Sequence, residues 1–211
     1  MLKGIIFDMD GTLVDNIPFH KKAWLTLLGN NGIHMDPETF LGQNNGTIDE
    51  MIRKFFGNDL PAEKLKELGQ EKESLYRNLY AEAIREIDGL SGFLKTLSRQ
   101  GIKTGLATMG DPLNIDFILD RLNIRRFFSV ITGGHEIQNG KPDPEIFLTT
   151  LQKLNEKAED CLVIEDSISG VISATDAGLK VIGISTTEPA EELFEAGCYR
   201  VIPDYRETHI I

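Results

Sequence analysis

The chain has 211 residues, 22 of them basic and 33 acidic, for a formal charge of −11 with the histidines neutral. That balance argues against nucleic acid or an anionic membrane as a partner, because both reward a surplus of Lys and Arg on one face. The 41% apolar and 26% charged shares belong to one large folded domain or two unequal ones, not to a disordered chain. No apolar run reaches the roughly 18 residues that a bilayer-spanning helix needs. Cys161 and Cys198 are the only cysteines and form no CxxC, which leaves neither a disulfide scaffold nor a zinc ribbon and makes the cytoplasm the expected location.

In chain order, short apolar runs alternate with helical periodicity. Leu2–Phe7 reads as a strand that ends abruptly at Asp8. Between Asp15 and Asp88 no strand is expected. Helical patterns lie near Pro18–Gly29, Thr47–Phe56 and Pro61–Ile87, the last so rich in Glu and Lys that most of its charges read as a solvated face. Leu90–Gln100 then reads as a helix, Lys103–Ala107 as a strand, Pro112–Leu122 as a helix opened by proline, and Phe128–Ile131 as a strand. Pro144–Leu154 follows as a helix, Leu162–Ile164 as a strand, Ser167–Ala177 as a helix stopped by Gly178, and Lys180–Ile184 and Tyr199–Ile202 as strands.

Unbroken apolar strands suit a sheet buried on both faces. The expected fold is therefore α/β, a doubly wound, Rossmann-like parallel sheet with an inserted all-helical cap. The expected division is residues 1–14 and 89–211 for the core and 15–88 for the cap.

In an open parallel sheet, ligands gather at the carboxyl ends of the strands. There the sequence delivers Asp8 and Asp10, then Thr108 and Met109, then Lys141 beyond Gly133-Gly134, then Glu165 and Asp166. Crowded carboxylates with no His or Cys among them favour a hard cation such as Mg²⁺. With the cation present, Lys141, the Thr108 hydroxyl and N–H groups of the Met109-Gly110 turn can hold a phosphate dianion. One carboxylate can then attack phosphorus, and a second can move the proton.

These residues resemble the signatures of the haloacid dehalogenase superfamily: FDMDGTLVD at Phe7–Asp15, Thr108 closing LAT, Lys141 in GKPDPEIF and Glu165-Asp166 in VIEDSISG. The resemblance implies Asp8 as nucleophile and Asp10 as general acid/base. It implies Thr108 and Lys141 as phosphoryl-holding residues. The metal site it implies comprises Asp8, the Asp10 carbonyl oxygen and Asp166, with Glu165 as a further ligand or supporting group.

The insertion resembles the cap of the β-phosphoglucomutase and sugar-phosphatase branch, in which His20 and Lys72 would couple substrate binding to cap closure. Read on its own, a lone His near a helix start is a surface or capping residue, and Lys72 sits among exposed charges.

Two departures lean toward hydrolysis. Mutases of the branch usually carry valine where this chain has Thr12. They also carry a cap arginine where Gly42–Thr47 offers only neutral polar groups, with Arg53 and Lys54 further along. The expectation is a Mg²⁺-dependent phosphatase of a small phosphorylated metabolite acting through an aspartyl phosphate. A β-phosphoglucomutase is the alternative and a non-catalytic phosphate-binding module a further one; oligomeric state is unreadable.

Overall fold

The computed structural model describes residues 1–41 and 47–207. After β1 (Gly4–Phe7) come four helices in succession: α1 (Ile17–Asn30), α2 (Pro37–Leu41), α3 (Ile48–Phe56) and α4 (Ala62–Tyr80). Alternation then sets in: α5 (Leu90–Arg99), β2 (Lys103–Thr108), α6 (Pro112–Arg121), β3 (Val130–Gly133), α7 (Glu145–Leu154) and β4 (Cys161–Glu165). It continues through α8 (Ile168–Asp176), β5 (Lys180–Ile184), α9 (Ala190–Ala196) and β6 (Arg200–Ile202).

The strands pair in parallel throughout, in the order β3-β2-β1-β4-β5-β6. The expected doubly wound sheet is present. Its order reverses at β1, so the crevice beyond the carboxyl end of that strand is the switch point where such sheets bind ligands.

Alternation along each strand sends successive side chains to opposite faces. Ile6, Ala107, Val163 and Val181 join side chains of α7, α8 and α9 in one apolar cluster. Phe7 turns the other way, and its ring meets Phe93 of α5 edge-on at 6.2 Å and Phe128 at 5.9 Å. Both faces of the sheet are thus covered, as the unbroken apolar strands require.

The chain divides into two compact units, Met1–Asp15 with Ile84–Ile211, and Asn16–Ala83. The second is all helical. Trp24, Leu27 and Leu28 of α1 pack with Phe40, Met51, Ile52, Leu65 and Leu68 into a core of its own. Its helix α3 begins with a reciprocal cap, in which Thr47 N–H donates to Glu50 Oε2 at 2.6 Å and Glu50 N–H to Thr47 Oγ1 at 3.3 Å.

Several expectations shift. The third strand runs over Val130–Gly133 instead of Phe128–Ile131, because Phe128 N–H closes the preceding 3₁₀ turn on the Arg125 carbonyl. The long helix stops at Tyr80, seven residues short of Ile87. The chain leaves it so that Glu86 can bridge Val14 and Ile87 N–H can reach the Leu13 carbonyl at 2.9 Å. Two helices, α2 and α9, were not anticipated. Both are short, which gives periodicity little to register. Among the described residues, no helix is long and apolar enough to cross a membrane.

Leu27 is fully buried in the helical core. Leu27→Ala is expected to cost about 2–5 kcal/mol, a transfer loss plus a cavity, and hydrogen exchange at α1 and α4 amides measures it.

Candidate active site

Asp8 lies one residue beyond β1, its N–H extending the ladder to the Ile164 carbonyl at 3.1 Å. Thr108 ends β2 and Glu165 ends β4, so three neighbouring strands deliver side chains to one rim. Lys141 arrives from the connection between β3 and α7, and the Lys141–Pro142 peptide is cis.

The Lys141 ammonium is the hub. Its Nζ donates to Asp8 Oδ1 at 2.7 Å, to Glu165 Oε1 at 2.6 Å and, more weakly, to the Ala107 carbonyl at 3.4 Å, and it lies 5.1 Å from the centre of the Phe147 ring. Glu165 commits its other oxygen, Oε2, to Asp166 N–H at 2.8 Å, Ser167 N–H at 2.8 Å and Ser167 Oγ–H at 3.0 Å. Ser167 in turn caps α8 by accepting from Gly170 N–H. The cap is therefore Ser167, and Asp166 is left for other work. Its Oδ1 accepts from Thr12 Oγ1 at 3.0 Å, and Thr187 supplies a second hydroxyl.

Asp8, Glu165 and Asp166 are all buried, and each brings an oxygen within 4.8 Å of the others. Three carboxylates face one ammonium, so two formal negative charges stay uncompensated. The titration behaviour follows. Burial foremost, then the charges of Glu165 and Asp10 acting against the pull of Lys141, pushes the Asp8 carboxyl up to about 7. Burial and the charges of Glu165 and Asp8 hold Asp166 well above the carboxylate range. Burial disfavours the Lys141 charge, but Asp8 and Glu165 outweigh it and hold that ammonium above its ordinary pKa. A divalent cation among these oxygens would balance the deficit without the protons. An all-oxygen, all-carboxylate donor set suits a hard ion.

Asp10 is half-buried and stands on a tight turn, where Gly11 N–H bonds the Val14 carbonyl at 2.8 Å. Gly11 has φ +80°, and a Cβ there would lie 2.0 Å from Asp166 Oδ2, so only glycine lets the two motifs approach. The Asp10 carboxylate lies near the Thr108–Gly110 turn, with Oδ2 3.8 Å from where a Gly110 Cβ would be. Gly110 N–H is already committed to Thr108 Oγ1 at 3.0 Å. The Gly110 amide is thereby occupied, while the buried Thr108 hydroxyl keeps its own proton to donate. Met109 is 42% exposed, and its thioether rests against Gly134 and Gly140.

His20 and Lys72 stand apart from this cluster in the sequence and belong to the helical unit. Lys72 is not among exposed charges as the sequence suggested: it is 4% exposed. Its Nζ lies 2.8 Å from His20 Nδ1 and 2.9 Å from Glu73 Oε1, with the Trp24 ring centre at 5.5 Å. An ammonium only donates, so His20 Nδ1 is the acceptor in this contact. The His20 ring stacks on Tyr76 at 3.7 Å, and Asn16 Nδ2 donates to the Tyr76 hydroxyl at 2.6 Å. The neutral stretch 42–46 lies outside the described residues.

Sequence reasoning noted Thr12 as a departure from the mutases but not its bond to Asp166, and it missed Thr187 and Thr186, whose hydroxyl donates to the Gly11 carbonyl. The available signal was Ser185-Thr186-Thr187 directly after β5, one more strand end carrying hydroxyls.

A profile described as haloacid dehalogenase-like hydrolase matches residues 5–184. The chain belongs to the haloacid dehalogenase-like hydrolase family. It is 30% identical over 217 residues to a phosphorylated carbohydrates phosphatase of Thermotoga maritima, covering 95% of this chain and 94% of that one. It is 32% identical over 196 residues to the beta-phosphoglucomutase of Bacillus subtilis, covering 89% and 85%. The crystal structure of a family IA, variant 3, HAD hydrolase from Entamoeba histolytica superimposes with a TM-score of 0.91 at 28% identity, covering 99% of this chain and 96% of that one. With such kin, the chain is a phosphoric monoester hydrolase or phosphomutase.

A carboxyl whose pKa is raised on folding weakens the fold once it must ionise, from the unfolded value near 4 upward through about 7. In EDTA, the melting temperature is therefore expected to fall between about pH 6 and about pH 8. Added Mg²⁺ is expected to raise it, more at the higher pH because fewer protons compete for the site. Differential scanning calorimetry across the pH series checks both.

Proposed function

We propose that this protein is a Mg²⁺-dependent phosphatase of a small phosphorylated metabolite, a sugar phosphate by class, acting through an aspartyl phosphate. The observation that carries the reading is the buried Lys141 held between Asp8 and Glu165 with Asp166 alongside. That arrangement has one cation too few for its acids and suits a dianion only once a metal is bound.

Asp8 and Asp166, with the Asp10 carbonyl oxygen, are the direct ligands in this reading. Glu165, with both oxygens already committed, supports them from behind. When bound, Mg²⁺ supplies charge neutralisation for the phosphoryl oxygens. Asp8 attacks phosphorus and the ester oxygen leaves, taking its proton from Asp10; Asp10 then accepts a proton from the water that cleaves the aspartyl phosphate. The Thr108 hydroxyl and Lys141 Nζ hold the phosphoryl oxygens as charge develops.

We take residues 1–14 and 89–211 as the catalytic body and 15–88 as a cap that selects the substrate through His20 and Lys72, while Met109 shapes the rim. The Thermotoga relative is named for phosphorylated carbohydrates, which supports the substrate class.

A second reading, phosphoglucomutase, draws on the 32% identity to the Bacillus enzyme. The Thr12 hydroxyl on Asp166 favours hydrolysis over it, since the valine usual in such mutases makes no such bond.

Purified protein with Mg²⁺ is expected to release free phosphate from one or more hexose or pentose phosphates, and to stop in EDTA. Asp8→Asn is expected to lower turnover at least about a thousandfold and to form no phosphoenzyme. Asp10→Asn is expected to lower it about 10²–10⁴-fold, through loss of proton transfer. Rapid conversion of β-glucose 1-phosphate to glucose 6-phosphate without phosphate release, given a trace of the bisphosphate, would overturn hydrolysis in favour of the mutase.

A further inference from the structure

The segment after β6 lies beyond residues 5–184, which carry the family resemblance, yet it reaches the heart of the core. Tyr205 is only 4% exposed. Its ring stacks on Phe93 at 5.5 Å and leans on Phe7 at 6.3 Å, on the sheet face away from α7, α8 and α9. Its hydroxyl donates to the Thr12 carbonyl at 2.9 Å, and its backbone N–H donates to the Asp88 carbonyl at 2.9 Å. Arg206 adds an ion pair to Asp88 at 3.1 Å. Gly89, at φ +89°, accommodates the strap closely: a Cβ there would lie 2.7 Å from the Tyr205 carbonyl carbon and 2.8 Å from Arg206 N.

The strap therefore bonds to two stretches of its own unit that are far apart in sequence. One is the turn from Asp10 to Val14. The other is the stretch from Glu86 to Gly89. The two are stitched to each other by the Val14–Glu86 bridge. Thr12, held from behind by Tyr205, sends its own hydroxyl forward to Asp166 Oδ1 at 3.0 Å. A line of contacts runs from Tyr205 through Thr12 to a carboxylate of the candidate metal cluster. Burial, reinforced by the charges of Asp166 and Asp8, holds the Tyr205 phenol well above its usual pKa, so it remains a donor.

We infer that Tyr205 is a positioning residue: its hydroxyl fixes the Asp10–Val14 turn and, through Thr12, aims Asp166 at the cation. The kinetic part of this rests on the phosphatase reading above; the metal-binding part does not.

Tyr205→Phe keeps the ring and removes only the hydroxyl. Titration calorimetry with Mg²⁺ alone is expected to show affinity about three- to tenfold weaker, near the lower edge of what outer-shell partners contribute. Turnover number is expected to fall by a similar factor while KM for the phosphate ester holds. Thr12→Val is expected to weaken Mg²⁺ binding as well, and the double variant to be no weaker than Thr12→Val alone, because both act along one line.

Wild-type Mg²⁺ affinity in Tyr205→Phe would overturn the inference. So would losses that multiply in the double variant, or a Tyr205→Phe protein that does not fold, since the hydroxyl would then serve the core and not the turn. Should the wild type hydrolyse no phosphate ester while the affinities still separate as expected, the positioning role stands and the reading of the reaction fails.

Discussion

One buried ammonium facing too many buried carboxylates sets the character of this site. Lys141 is pinned by Asp8 at 2.7 Å and Glu165 at 2.6 Å, and breaking such a pair from one side leaves an uncompensated charge in the core. Lys141 therefore cannot be dispensed with, yet it does not suffice, because Asp166 brings a third carboxylate, which accepts from the hydroxyls of Thr12 and Thr187. Burial foremost, with the uncompensated charge adding to it, pushes the Asp8 carboxyl up to about 7. In the reaction proposed above, a carboxyl half protonated near neutral pH would attack poorly, and a bound cation would favour its ionised form.

The backbone around these acids is shaped to bring them together. A Cβ on Gly170 would lie 1.7 Å from Glu165 Oε1, just as one on Gly11 would collide with Asp166. Glu165 consequently folds back onto the first turn of α8, accepting from the 166 and 167 amides, where a carboxylate is favoured by the helix terminus. Its charge is thereby spent on holding Lys141 and the Asp166 turn in place. The division of labour between adjacent acids, one anchored and one presented, comes from a single helix start.

The sheet and the four motif positions were legible in the sequence because both are carried by short-range signals. Unbroken runs such as Ile5-Ile6-Phe7 read as buried strands, and Asp8, Thr108 and Glu165 stand at or just after the ends of three of them. Boundaries were less legible wherever a tertiary bond decided them. Phe128 looks like a strand residue and instead closes a 3₁₀ turn, and residues 81–87 continue a helical pattern but leave the helix to pair with Val14. The environment of Lys72 was hidden for a similar reason. Its neighbours Glu71 and Glu73 suggest solvent, whereas Tyr76 lies one turn along the same helix and Trp24 and His20 come from α1. Tyr205 gave no signal at all, because its partners Thr12, Asp88 and Phe93 are set by the return of the chain after β6.

The overall charge of −11 then takes on a different meaning. An acidic protein does not draw an anionic ligand from a distance, and in ordinary salt such fields fade within about 8–10 Å. On the reading proposed above, recognition of a phosphate is made at contact, by Lys141, by the Thr108 hydroxyl, whose oxygen already accepts from Gly110 N–H, and by a bound cation. Cys161 and Cys198 fit the same economy of reactive groups. Both are buried, and burial pushes their thiols up to about 11 and about 12, so neither offers a thiolate near neutral pH. The part of the acid surplus that matters for chemistry is therefore the small part that Lys141 leaves unbalanced. It lies at the carboxyl end of β1, where the strand order reverses.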